Sequence, residues 1–449
     1  MKHYSEMQHA FELFLEDHEQ YSLHASEIAY LLKKVRKKES LEAFLETLKK
    51  IPQDMLGDVL LELPEKIRDE AIEHFSSEEL ALAIEGLESD DATDLVLDID
   101  DVDEDKGEAV IAHLDEEDRE DIDKLRRYEE WQAGAWMQTE LFDATLDETV
   151  QASIDRLKQL KEADELENVS QVFIINDQRR LITSIPLEDL ILFDFSKSYR
   201  DVVVSKEFRS VEAAADIEDV ATMFEQYDLS VLPVVDWQGK LVGRITSDDI
   251  YDVIEERATE QIYNLAGVDD EAEQEEKLWG VFQKRASWLF VNLLTAILAS
   301  VVIGFFDTTL AAFIPLAVLM PIVASMGGNA GTQTLTVMVR RIALGEIDFE
   351  NAKQALYKEL LVSFFNGLLF ALLMGLIAFF WFDTAALGVV IGLAMIINML
   401  IAGSFGAAIP LLLKRLDIDP AVGSTVLLTT ATDVFGFFSF LALAQAIIL

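Results

Sequence analysis

A single carboxylate, Asp433, lies in the middle of residues 420–449, a stretch with no other charged side chain. Thr429, Thr430 and Thr432 surround it with hydroxyl groups. A carboxylate in the middle of a membrane-spanning helix costs roughly 3 kcal/mol and usually marks an ion pathway. The alternative is a protonated Asp433 that hydrogen-bonds to a neighbouring helix. We expect Asp433 to contact a cation as it passes.

Residues 321–333, PIVASMGGNAGTQ, form a second polar segment among apolar residues. Asn329 and Gln333 are four residues apart, so a helix would place both amides on one face. Gly327 and Gly331 form a GxxxG pattern, which is typical of close helix packing. Pro321 can interrupt the helix and release carbonyl groups. Besides simple packing, the segment therefore predicts a lining for an ion pathway, formed with Asp433 by Gly328, Asn329, Gln333 and Thr430.

A third pattern repeats a carboxylate at every fourth position, at Asp248, Asp252, Glu256 and Glu260. Like charges at this spacing destabilise a helix by roughly 0.2–0.5 kcal/mol per pair, and a bound divalent cation would relieve the repulsion. A plain solvated helix face is the alternative. We expect these side chains to sense cations, together with Asp90, Asp91, Asp94 and Asp249.

Composition divides the elements that carry these groups into two parts. The chain has 449 residues and a net charge of −46. Residues 1–285 carry −43 of this charge and residues 286–449 only −3. Such acidity excludes a nucleic-acid binder, which needs a basic surface. The absence of cysteine excludes disulfides and thiolate metal sites.

The second part contains five long stretches that are almost free of charge. Each has the roughly 20 apolar residues that a helix needs to cross a bilayer. Basic residues occur before the first stretch, between the second and third, and between the fourth and fifth. Because positive loops stay in the cytoplasm, the N-terminus is expected to be cytoplasmic and the C-terminus outside a bacterial plasma (inner) membrane. The expected spans are about 286–306, 309–339, 360–382, 385–413 and 420–447.

The acidic part contains two internal repeats. Blocks in residues 51–125 begin at a spacing of 12, at Ile51, Leu63, Phe75, Leu87 and Ile99. Short helices repeated in this way stack into a superhelix. Residues 172–191 match residues 232–251 at an offset of 60, and each copy predicts strand, turn, strand and the start of a helix.

The second of these copies resembles a cystathionine-β-synthase-type (CBS) domain. Its residues 243–249, GRITSDD, fit the pattern G-x-aliphatic-[ST]-x-x-D. In that family the hydroxyl and the last aspartate can hold a nucleotide, which implies Thr246 and Asp249 as candidate ATP ligands. The first copy has Pro186 at the hydroxyl position. A purely structural CBS pair is the alternative.

Longer motifs resemble the MgtE family of magnesium channels. They are PIVASMGGNAGTQTLTVMVRRIALGEI at 321–347, KELL at 358–361 and DPAVGSTVLLTTATD at 419–433. The resemblance implies a homodimer with a central pore, in which Asp433 and the backbone carbonyl of Thr429 hold a hydrated Mg²⁺. It also implies that high intracellular Mg²⁺ bridges the acidic domains and a connecting, or plug, helix to close the pore. This chain departs from the family at Thr425-Val426, in place of Gly-Pro, and at Gln261, in place of Asp.

These observations predict a mixed fold. Its parts are an all-α acidic superhelical domain (1–132), an α/β tandem CBS domain (133–262), a long connecting (plug) helix (263–285) and a five-helix transmembrane domain (286–449).

The expected function is Mg²⁺-selective uptake by a homodimer in the lipid bilayer, with Mg²⁺ as transported and regulatory ligand. Mg²⁺ is held through one or two carboxylates and keeps several waters, so one aspartate per subunit suits it. The alternatives are a membrane-anchored sensor of adenine nucleotides and an ion-coupled carrier of Co²⁺ or Mn²⁺. No nucleophile and base that would indicate an enzyme are visible in the sequence.

Overall fold

The structure, a computed structural model, describes residues 2–18, 20–163, 166, 168–203, 208–268, 278–348, 351–416 and 418–449. The chain divides into two compact units, Met1–Ile254 and Glu255–Leu449.

The first unit begins with helices whose buried apolar side chains form one continuous core, which includes Leu32, Phe44, Leu60, Ile72 and Val96. The helices are α1 (Lys2–Glu16), α2 (Ala25–Lys38), α3 (Leu41–Leu48), α4 (Gln53–Leu61), α5 (Glu65–His74), α6 (Ser77–Ile84), α7 (Ser89–Val102), α8 (Glu104–Ile111) and α9 (Glu116–Leu125).

The predicted 12-residue repeat is confirmed for four helices, α4 to α7, whose first residues are 12 apart. Helix starters explain the spacing, because Pro52 and Pro64 precede α4 and α5, and Ser76 caps α6 with a capping box. The predicted block at Ile99 is wrong. Ile99 is buried inside α7, which continues until the side chain of Asp103 caps α8 by accepting a hydrogen bond from the Lys106 amide.

Two small sheets of identical topology follow. In the first, β1 (Asp143–Thr145) is parallel to β2 (Gln171–Ile175), which is antiparallel to β3 (Leu181–Pro186). In the second, β4 (Val211–Glu212), β5 (Val231–Val235) and β6 (Leu241–Thr246) have the same order and directions. Equivalent strands begin 60 residues apart in β2 and β5, so the predicted duplication is present in the fold. The helices between the strands are α10 (Val150–Glu162), α11 (Leu187–Leu190), α12 (Tyr199–Val202) and α13 (Ile217–Tyr227).

A long helix, α14 (Ser247–Ala266), follows β6 without a break and carries the carboxylate repeat. The boundary between the two units falls within it. It ends at Gly267, whose φ of +70° favours glycine. The segment 263–285 was expected to be one connecting helix, but it contains the end of α14 and the beginning of the next helix. Residues 269–277 between them lie outside the described residues.

The helices of the second unit are α15 (Leu278–Gly304), α16 (Asp307–Ala312), α17 (Pro315–Ala343), α18 (Ala352–Phe382), α19 (Ala385–Arg415) and α20 (Ser424–Ile447). Among the described residues, four of these helices are long and apolar enough to cross a membrane: α15, α18, α19 and α20. The expected second span corresponds to α17. It is 29 residues long but is not one of the four, because its glycines and polar side chains dilute its apolar character.

Two details of the expected second span are wrong. The expected segment 309–339 is divided by a break at Phe313 and Ile314, and Pro315 begins α17 at a position where proline is well tolerated. Pro321 lies inside the continuous helix α17 and does not interrupt it. Proline removes one hydrogen bond from a helix interior, but in membrane bundles neighbouring groups can compensate for that loss.

Candidate functional site

Asp433 lies near the middle of α20, about two and a half turns from its start. Its side chain is half-buried, and within the described residues the carboxylate has no hydrogen-bond or ion-pair partner. The neighbouring hydroxyls serve their own helix instead. Thr430 Oγ1 donates to the Val426 carbonyl at 2.6 Å, and Thr432 Oγ1 donates to the Leu428 carbonyl at 3.2 Å. The carboxylate is therefore the group on this part of α20 that keeps its capacity to accept a ligand.

The Thr429 carbonyl, implied as a second ligand, belongs to the same continuous helix. It accepts a hydrogen bond from Thr432 Oγ1 at 3.1 Å, while Thr429 Oγ1 donates to the Thr425 carbonyl at 3.0 Å. Inside the helix this carbonyl also accepts a backbone hydrogen bond, so an ion or its water would have to replace the Thr432 hydroxyl at the second lone pair.

Helix α17 presents a polar face made of Ser325, Asn329 and Gln333, which are four residues apart and exposed in this single chain. Asn329 Nδ2 donates to Ser325 Oγ at 3.4 Å. Next to this polar face, a Cβ added to Gly328 would have no neighbour within 4 Å. The face predicted to line a pathway is thus open and available to water or to another surface.

The opposite face of α17 packs closely against its neighbours. A Cβ on Gly327 would lie 2.4 Å from Asn398 Nδ2, and one on Gly331 would lie 2.7 Å from Leu428 Cδ1. Asn398 in α19 is fully buried, and its Nδ2 donates to the Val323 carbonyl at 2.6 Å. The GxxxG pair therefore has the packing role, and the polar face is separate from it.

The first unit brings together the carboxylates of two helices that are far apart in sequence. We name Asp90, Asp91 and Asp94 of α7 with Asp248, Asp249 and Asp252 of α14 the carboxylate cluster. Asp90 is buried and is influenced electrostatically by Asp249, and Asp91 by Asp248 and Asp252. The sequence predicted both groups but not their proximity. Glu256 and Glu260 lie farther along α14, in the second unit.

The cluster is electrostatically strained. Burial, followed by the charge of neighbouring carboxylates, raises the pKa of Asp91 to about 6 and that of Asp249 to about 7. The pKa of Asp90 is raised well above its ordinary value for the same reasons. Cations or protons that bind between these groups would relieve the repulsion.

Asp91 and Asp252 also line a cavity of about 540 Å³ together with Asp58 of α4 and Glu62, the residue directly after α4. The sequence patterns did not single out Asp58 and Glu62, although the two are four residues apart in one predicted repeat block. In the described part of the chain, no three acidic or histidine side chains converge into a ready-made metal centre. Hard carboxylate ligands suit a hydrated Mg²⁺, which needs few direct contacts.

Polar contacts join α7 to the segment that precedes β1, and our sequence analysis missed them as well. The Ser89 amide and hydroxyl both donate to the Glu140 carboxylate, at 3.1 and 3.0 Å. Arg244 is buried and donates from Nε to Gln138 Oε1 at 3.0 Å. These contacts hold the start of α7 against the segment 138–140, which Arg244 joins to β6, the strand that leads into α14.

The candidate nucleotide ligands in β6 and α14 bind each other. Thr246 Oγ1 donates to Asp249 Oδ2 at 2.7 Å, and the Thr246 amide donates to the same oxygen at 3.3 Å. A nucleotide would have to compete with this pair for both groups.

Three sequence profiles match the chain. They are the MgtE divalent cation transporter profile at residues 320–443, the MgtE intracellular N domain at 23–131 and the CBS domain at 200–256. The first of these covers α17 to α20, including Asn329 and Asp433.

Curated relatives match over most of their length. The magnesium transporter MgtE of Thermus thermophilus is 32% identical over 333 residues, which cover 74% of this chain and 73% of the relative. MgtE of Enterococcus faecalis is 33% identical over 317 residues, covering 71% of this chain and 69% of the relative.

Two solved structures are similar to about half of the chain. The cytosolic domain of the Mg²⁺ channel MgtE in complex with ATP is 27% identical, with a TM-score of 0.47, and covers 54% of this chain and 93% of that one. The soluble part of a magnesium transporter is also 27% identical, with a TM-score of 0.38, and covers 52% and 100%. The identity and coverage of the curated relatives, together with the three profiles, show that this chain belongs to the MgtE family of magnesium transporters.

Proposed function

We propose that this chain takes up Mg²⁺ as a homodimer and that high intracellular Mg²⁺ closes its pathway. The observation that supports the proposal is the half-buried Asp433 carboxylate. It has no hydrogen-bond or ion-pair partner among the described residues. A carboxylate left unpaired at this depth is costly, so its retention favours a role with a cation.

The chemistry of the site suits a hydrated ion. Mg²⁺ loses its waters reluctantly and is usually held by one or two carboxylates with several waters in place. Asp433 would supply the charge, and the carbonyl of Thr429 and the amide of Asn329 would contact the water shell. The absence of cysteine makes a site for a soft transition metal less suitable.

The polar face of α17 supports a homodimer. Ser325, Asn329 and Gln333 are exposed in one chain, but hydrocarbon cannot satisfy their hydrogen-bonding groups. A second copy that presents the same face would enclose a water-filled space between the two, with Gly328, Gln333 and Thr430 along its walls. The basic residues near the ends of the apolar helices favour a cytoplasmic N-terminus in a bacterial plasma membrane.

The carboxylate cluster supports closure by Mg²⁺. A ligand shifts an equilibrium only by its difference in affinity between two states. Carboxylates of α7 and α14 that repel each other when packed together would bind Mg²⁺ better in that packed state. Glu256 and Glu260 continue the carboxylate repeat of α14 in the second unit. Ion binding along α14 would therefore act on a helix that continues from the first unit into the second. Nucleotide binding through Thr246 and Asp249 would act on the same helix.

The test is Mg²⁺ flux into vesicles that contain the full chain, compared with its Asp433→Asn variant. Flux should fall at least tenfold in Asp433→Asn, because the neutral amide no longer attracts a divalent cation. Asp383→Asn is the matched control, since Asp383 lies in the loop after α18, and it should retain flux. Full flux in Asp433→Asn, combined with tight ATP binding, would replace this proposal with the nucleotide sensor. Flux that requires a Na⁺ or H⁺ gradient would indicate the coupled carrier.

A further inference from the structure

The C-terminal end of α14 makes two direct polar contacts with the segment that begins α20. Thr425 Oγ1 donates to the Leu265 carbonyl at 2.6 Å. Asn264 Nδ2 donates to Asp419 Oδ2 at 3.0 Å and to Glu260 Oε1 at 3.2 Å. All five residues belong to the second unit.

The Leu265 carbonyl is available because of the way α14 ends. The last carbonyls of a helix have no partner within the helix. Here the Val268 amide donates to the Tyr263 carbonyl and the Gly267 amide to the Asn264 carbonyl, at 2.9 and 3.1 Å. This is the Schellman arrangement, with Gly267 in the left-handed conformation. Among the described residues, no backbone amide donates to the carbonyl of Leu265, and the Thr425 hydroxyl donates to it instead.

The segment before α20 that α14 contacts is also held in place by a hydrogen bond. Asp419 Oδ1 accepts a hydrogen bond from the Ala421 amide at 2.9 Å, which fixes the turn before α20 and leaves Oδ2 for Asn264. The Leu265 side chain packs against an apolar cluster that includes Leu335, Ala421 and Leu428. Polar and apolar contacts of one short segment therefore hold α14 against α17 and α20.

We propose that Thr425 and Asn264 form a hydrogen-bonded latch that holds the end of α14 on α20 without a metal ion. Thr425 is one of the two positions where this chain departs from the Gly-Pro of the family it resembles. Glycine has no side chain that could donate this hydrogen bond. Thr425 is a positioning residue, because Asp433 lies eight residues farther along the same helix, about 12 Å away.

The latch has a consequence for regulation that rests on the proposed function. A helix held by direct hydrogen bonds in its docked position needs less Mg²⁺ to stay there. Removing the bond should therefore raise the Mg²⁺ concentration needed for half-closure, by about fivefold for one neutral hydrogen bond.

The experiment compares Thr425→Val, which removes the donor, with Thr425→Ser, which keeps it. Ser439→Ala is the control on the same helix, because the Ser439 hydroxyl donates only to the Gly436 carbonyl of its own helix in the contacts described. In the full chain without Mg²⁺, hydrogen–deuterium exchange of residues 260–268 should be about fivefold faster in Thr425→Val and unchanged in the other two. Vesicle flux should show the matching shift in half-closure.

Equal exchange in Thr425→Val and Ser439→Ala would overturn the latch. So would a difference that appears only when Mg²⁺ is present. Asp433→Asn separates this inference from the proposed function, since that variant tests flux but should leave the exchange of residues 260–268 unchanged. A failure of the flux proposal is therefore distinguishable from a failure of the latch.

Discussion

Individual residues of the second unit divide into those that pack and those that stay open, and the two kinds alternate along α17. Gly327 and Gly331 approach α19 and α20, whereas Asn329 and Gln333 are exposed. The sequence predicted both close packing and a pathway lining for this segment. It could not show which of these residues face another helix. That assignment needs the positions of Asn398 and Leu428, which lie on other helices.

Two adjacent glycines allow a sharp test of this division. Gly327→Ala should destabilise the protein by roughly 1–3 kcal/mol, because the new methyl group would overlap the buried Asn398 amide. Gly328→Ala should leave stability unchanged or raise it by up to about 1 kcal/mol, since its Cβ meets nothing and alanine favours a helix. Thermal unfolding of the full chain in detergent measures both changes. Equal losses of stability would contradict the packing of α17 described above.

Helix α14 is the element whose role depends most on its length. It carries carboxylates of the first unit at its start and the Leu265 contact at its end. Its periodic carboxylates were predictable, because they form a local pattern. Its end at Gly267 differs from the connecting helix expected over residues 263–285. Its meeting with α7 was not predictable, since this contact joins residues about 150 positions apart.

At the scale of this element, Asp252→Asn should raise the Mg²⁺ concentration required for half-closure by about two- to fivefold, because one of several weak ligands is lost. The measurement is Mg²⁺ flux into vesicles with Mg²⁺ varied on the side that carries the first unit. Asp219→Asn removes an exposed carboxylate from α13 and should not move the curve. Identical curves for the two variants would show that the carboxylate repeat of α14 takes no part in sensing Mg²⁺.

The molecule as a whole combines an acidic front part of charge −43 with a nearly neutral apolar part. Within the first unit, part of this charge lies on Asp90, Asp91 and Asp249, where burial disfavours the ionised carboxylate. The raised pKa values of Asp91 and Asp249 mean that the packed unit binds protons more tightly than the unfolded chain does. Protons and divalent cations are therefore expected to stabilise the same packed arrangement.

This linkage has a definite sign. Because the folded pKa values of about 6 and 7 exceed the ordinary value of 3.8, the free energy of unfolding should fall as the pH rises from about 4 to 7. For the half-buried Asp249 the loss should be about 1–2 kcal/mol, allowing for screening by solvent.

Thermal unfolding of the full chain in Mg²⁺-free buffer at pH 5.5 and pH 8 measures this loss, and added Mg²⁺ should restore stability at pH 8. Asp249→Asn should flatten the pH dependence, while the amide oxygen can still accept the Thr246 bond. A stability that rises between these pH values would show that the cluster is not strained.

The sequence alone determined the parts of this protein whose signals are local. These include the break in charge near residue 285, the apolar helices, the 60-residue duplication of β2 and β5, and the position of Asp433 inside a helix. Local patterns gave wrong predictions at Ile99 and Pro321, because in the structure a helix continues through each of these residues. Only the tertiary structure decided that Asp58 and Asp252 share a cavity and that Thr425 meets Leu265. Periodicity and charge act over a few residues, whereas these contacts depend on how distant helices pack.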